Sequence, residues 1–133
     1  MSSFQPSPTL RTALIADAAA SGVSAVLMLA SAGMLEGFTG LPAALLRGAG
    51  LILVPFVAFV GYLAAQARLT AAAVWAVIVC NALWVAGSTL LLLSGWVALT
   101  ALGYAFVIAQ AAAVAVFAEL QYTGLRRPNR ITA

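Results

Sequence analysis

The feature that most constrains this chain is where its charges are not. All nine charged residues are Arg11, Asp17, Glu36, Arg47, Arg68, Glu119, Arg126, Arg127 and Arg130, which leaves three long charge-free stretches at 18–35, 48–67 and 69–118. A helix needs about 20 apolar residues to cross roughly 30 Å of hydrocarbon, so the first two stretches each predict one crossing. The third is too long for one. Ser94-Gly95 divides it where two antiparallel helices would be joined tightly.

The expected spans are residues 13–36, 45–66, 70–93 and 96–121, with short tails at 1–12 and 122–133, all in a single domain. Composition supports the same reading. With 65% hydrophobic residues and 7% charged residues, and a mean hydropathy of +1.11, the surface cannot be covered by ions and must face lipid. A transmembrane β-barrel would alternate apolar and polar residues and favour aromatic and β-branched types. These runs do neither, being dominated by Ala and Leu. The fold class expected is therefore all-α, an antiparallel transmembrane four-helix bundle embedded in the lipid bilayer.

The arginines predict its orientation. With an even number of crossings, Arg11, Arg68, Arg126, Arg127 and Arg130 share one face and only Arg47 lies on the other. The positive-inside rule then puts both termini in the cytoplasm, as in a multi-pass protein of the inner (cytoplasmic) membrane. The N-terminal Met1-Ser-Ser-Phe-Gln-Pro-Ser-Pro lacks a basic n-region, so a short retained tail is expected rather than a signal peptide.

The chemistry available is limited. The chain has no His and a single cysteine, Cys80, with no Gly-rich phosphate loop and no nucleophile–base arrangement. No metal, cofactor or enzymatic activity is expected. The six dispersed arginines do not form a nucleic-acid footprint.

The remaining polar groups each admit a structural and a functional reading. Asp17, Ser21, Ser24, Met28 and Ser31 follow one face of the first helix. The stripe is either a polar path or a set of small residues for close helix contact. Asp17, placed near the cytoplasmic interface by the expected span, is read with Arg68 and Glu119 as an inner belt of ion pairs. Glu36 and Arg47 are read as an outer pair bracketing the first outward link.

Deeper in the bilayer, Asn81 and Gln110 occupy the middles of the third and fourth helices and are expected to bond to each other. An unpartnered carboxamide in hydrocarbon would cost several kcal/mol. Asn81, Trp84 and Ser88 share a helix face and, with Gln110, form the candidate midplane pocket. Pro55 removes an amide donor from the second helix and is the candidate hinge. Ala101, Ala105, Ala109 and Ala113 give the fourth helix a smooth ridge suited to packing within or between subunits.

The runs Leu41-Pro-Ala-Ala-Leu-Leu-Arg-Gly-Ala-Gly, Asn81-Ala-Leu-Trp-Val and Phe117-Ala-Glu-Leu-Gln-Tyr resemble those of small bacterial integral membrane proteins of similar length. Size and helix number are similar to the small multidrug resistance transporters. Asp17 would be the counterpart of that family's first-helix acidic residue. The glycine-rich first-helix motif of the small fluoride channels is not found. Two functions are expected from these features. The first is a non-enzymatic interaction, assembly or accessory subunit, a homo-oligomer or part of a larger membrane complex. The second is transport, as a carrier or channel for a small solute or lipophilic compound.

Overall fold

The computed structural model describes residues 3–126. Its helices are α1 (Pro8–Ala30), α2 (Ala32–Thr39), α3 (Ala43–Ala65), α4 (Ala71–Ser94) and α5 (Ala101–Arg126). The fold is all-α. The four helices of 23, 23, 24 and 26 residues are long and apolar enough to cross a membrane. A two-residue antiparallel bridge is the other regular element, β1 (Ser3–Phe4) against β2 (Leu69–Thr70).

The first helix begins at Pro8, five residues before the expected start, because Ser7 and Pro8 form a strong start signal. The Ser7 Oγ accepts from the Leu10 amide at 3.1 Å and proline occupies the first turn. At Ser31 the backbone departs from helical angles. The bonds Ser31 N to Leu27 O and Leu35 N to Ser31 O nevertheless carry the i to i−4 pattern across the break. The expected first span thus becomes a long helix with a short one following it.

α2 ends at Gly40 (φ 82°), where any other residue would be strained and a Cβ would lie 2.4 Å from the Ala98 carbonyl oxygen. α4 ends at Gly95, also left-handed at φ 69°. From there residues 95–100 run outside helical structure, so α5 starts at Ala101 and not at Trp96. The two-residue link expected at Ser94-Gly95 is longer because Thr100 is drawn to the end of α2. Its amide donates to Thr39 O at 3.1 Å and its Oγ1 to Phe38 O at 2.6 Å.

The end of the bundle carrying Pro8 and Arg126 is the termini end, and the end carrying α2 and the 95–100 link is the far end. α1 packs against α3, α4 against α5, and α1 against α5, whereas α3 and α4 make almost no close backbone approach. The helices therefore form an open arc, α3–α1–α5–α4.

One apolar core lies at the termini end, where Leu10, Leu14, Val60, Leu63, Val74 and Val77 are all buried. A second lies at the far end around Ala25, Met28, Leu46, Leu53, Val97 and Val107. α4 buries Val74, Val77, Ile78 and Asn81 and nothing after them. Its far half stands away from α3.

Candidate functional site

Three buried polar side chains meet between the helices. Asp17 and Gln121 are fully buried and Asn81 is 3% exposed. Asn81 Nδ2 donates to Asp17 Oδ2 at 2.8 Å and to Gln121 Oε1 at 3.0 Å, and Gln121 Nε2 donates to Asp17 Oδ2 at 2.8 Å. Ser21 Oγ, one turn along α1, donates to Asp17 Oδ1 at 3.1 Å. Asp17 accepts three of these four bonds, and the cluster joins α1, α4 and α5. Every side chain of the cluster bonds to at least one other, as burial in an apolar interior favours.

This arrangement differs from the expected belt. Asp17 lies nine residues into α1, about 14 Å along it, and Asn81 ten residues into α4, about 15 Å. The earlier start of α1 brings the carboxyl to the depth of the amide. Among the described residues neither Arg68 nor Glu119 is paired with it. Arg68 donates to Ser3 Oγ and Ser3 O, both at 2.9 Å, tying the N-terminal segment to the α3–α4 link. Glu119 is exposed. Arg11 donates to the Ala64 and Gln66 carbonyls, capping the C-terminus of α3, where a cation complements the helix dipole.

The outer pair is likewise replaced. Glu36 Oε1 accepts from the Ala43 amide at 3.1 Å, capping α3, and Arg47 is exposed. Among the described residues no ion pair joins them. A carboxylate at a helix N-terminus is favoured by the orphan amides there.

Asn81 and Gln110 do not bond to each other. Gln110 lies three turns before Gln121 on the same face of α5, and it forms a second cluster. Trp84 Nε1 donates to Gln110 Oε1, while Gln110 Nε2 donates to Ser88 Oγ at 3.1 Å and Val107 O at 3.0 Å. Asn81 bonds instead to Gln121, the more fully buried of the two glutamines and nearer the end of α5. The signal was present: two glutamines eleven residues apart on an otherwise apolar helix mark one face.

Beside these clusters, where α3 and α4 separate, lies a cavity of about 590 Å³. Ser24, Pro55, Phe56, Asn81, Trp84 and Gln110 are among its walls. A neighbouring cavity of about 730 Å³ extends toward the far end and adds Ser88 and Trp96. Trp84 and Gln110 belong to both. All four residues of the candidate midplane pocket therefore line this cleft, with Asn81 and Ser88 in different parts of it. Pro55 sits inside a continuous α3, exposed and on the cleft wall.

The first-helix stripe faces inward, with Asp17, Ser21 and Met28 buried and Ser24 and Ser31 half-buried. Among the described residues no group of three metal-ligating side chains occurs. Comparison with protein-family models, curated proteins and solved structures gives no match.

Proposed function

We propose that the protein is a non-enzymatic interaction or accessory subunit, a multi-pass protein of the cytoplasmic membrane with both termini in the cytoplasm. The observation carrying this reading is the ridge on α5. Ala101, Ala105, Ala109 and Ala113 are exposed, so the side chains best suited to close helix contact are not used up inside the fold. Lipid does not drive helices together by the hydrophobic effect, and small-residue ridges that let backbones approach are a main means of association. The ridge suits a second copy of the chain or a helix of a larger complex.

The orientation rests on the arginines. Arg11, Arg68 and Arg126 belong to the termini end and Arg47 to the far end, while Arg127 and Arg130 lie outside the described residues. To test the association, Ala105→Cys in a Cys80→Ser background is oxidised in native membranes. A disulfide-linked dimer, or an adduct with a co-purifying protein, is expected. A monomer in both crosslinking and native-membrane mass spectrometry would contradict the reading.

A second reading, binding or transport of a lipophilic compound, is favoured by a different observation. The α3–α4 cleft is lined by apolar and aromatic groups with a few polar atoms, and its volume lies in the range of small-molecule sites.

A further inference from the structure

The hydrogen bonds of Asn81 leave one atom over. Both partners of its Nδ2, Asp17 Oδ2 and Gln121 Oε1, accept, so the amide cannot be turned round without setting oxygen against oxygen. The other half of the carboxamide, Asn81 Oδ1, has no hydrogen-bond partner among the described residues. Yet Asn81 is 97% buried (3% exposed) and lines the 590 Å³ cavity. A buried acceptor left without a donor costs about 1–3 kcal/mol. Ser24 Oγ, about one turn from Ser21 along α1, lines the same cavity and also has no partner among the described residues.

The remaining walls restrict what could supply the missing donor. Phe56, Phe59, Trp84 and Phe117 make them apolar and partly aromatic, and among the described residues no charged side chain lines the cavity. Asp17 is fully buried behind its own three donors. An ionic ligand would sit there uncompensated, at high cost in an apolar interior.

We infer that this cavity takes a neutral lipophilic molecule bearing a hydroxyl or N–H donor, seated with that donor on Asn81 Oδ1. A hydroxyl there also accepts from Ser24 Oγ, and the apolar body lies against the aromatic walls. The inference rests on the second reading above and is independent of self-association.

The test uses the full chain carrying Trp75→Phe and Trp96→Phe, which leaves Trp84 as the one fluorophore of its kind, in phosphatidylcholine nanodiscs. Quenching by 11-bromoundecan-1-ol is compared with quenching by its methyl ether, which has the same chain and no donor. Saturable quenching by the alcohol is expected, with the ether about tenfold weaker. Ser24→Ala should weaken the alcohol about threefold and leave the ether unchanged. Ala20→Phe, which fills the cavity from α1 and lies off the α5 ridge, should abolish saturation by both. Equal saturable affinity for alcohol and ether would overturn the donor requirement while leaving a lipophilic site. Quenching that rises linearly for both, as in simple partition, would overturn the site as well.

Discussion

The two ends of the bundle solve the same problem differently. At the termini end the helices close on an apolar core and, just beyond it, on a polar cluster in which Asp17, Asn81 and Gln121 bond to one another. Toward the far end α4 buries nothing after Asn81, and the polar groups Trp84, Ser88 and Gln110 bond along the edge of a cleft. α5 supplies a glutamine to each cluster, so composition alone does not make the difference. What differs is the number of helices that converge: three at Gln121, two at Gln110. A directional polar cluster fixes the relative positions of α1, α4 and α5 at one depth, and beyond it α3 and α4 part.

The sharpest way to break this comparison is to remove its central acceptor. Asp17→Leu takes away two of the three interhelical bonds, leaving Gln121 Nε2 without a partner and Asn81 Nδ2 with Gln121 Oε1 alone, at roughly 2–4 kcal/mol of stability. Thermal unfolding in mixed micelles should show a large fall, and wild-type-like stability would mean the cluster fixes nothing.

A matched pair on one helix face sharpens the contrast. Gln121→Leu should cost about 1–2 kcal/mol because Asn81 and Asp17 each lose a partner in a closed interior. Gln110→Leu should cost less than about 1 kcal/mol, since the Trp84 and Ser88 groups it leaves are only partly buried. Equal losses would erase the distinction between the two ends.

The smallest effect is expected from Arg68→Ala. Its bonds to Ser3 are exposed and should contribute no more than about 0.5 kcal/mol, measured by the same unfolding transition.

Much of this architecture is legible in the sequence. Charge-free runs of the right length locate four long helices, and the small and polar stripe of α1 faces inward as its spacing predicts. The placement of Asp17 failed because position along the bundle follows from helix ends, and ends depend on local caps. Ser7-Pro8 starts α1 early and so carries Asp17 to the depth of Asn81 instead of an interfacial arginine.

The pairing of polar groups was also beyond periodicity. Spacing says that Gln110 and Gln121 share a face, but which of them meets Asn81 depends on how α4 and α5 slide past each other. The cleft has the same status. It arises because α3 and α4, adjacent in sequence, are not adjacent in the arc of helices, and nothing in their apolar runs records that.

The central claim, that α3 and α4 converge at the termini end and part toward the far end, is tested most directly by pulsed electron paramagnetic resonance in nanodiscs. Spin labels at the exposed positions Ala65 and Ala72 report the termini end, and labels at Ala44 and Leu93 the far end, each pair in a Cys80→Ser background. The account predicts a clearly longer separation for Ala44–Leu93 than for Ala65–Ala72. Equal separations, as for two helices packed side by side along their whole length, would contradict it.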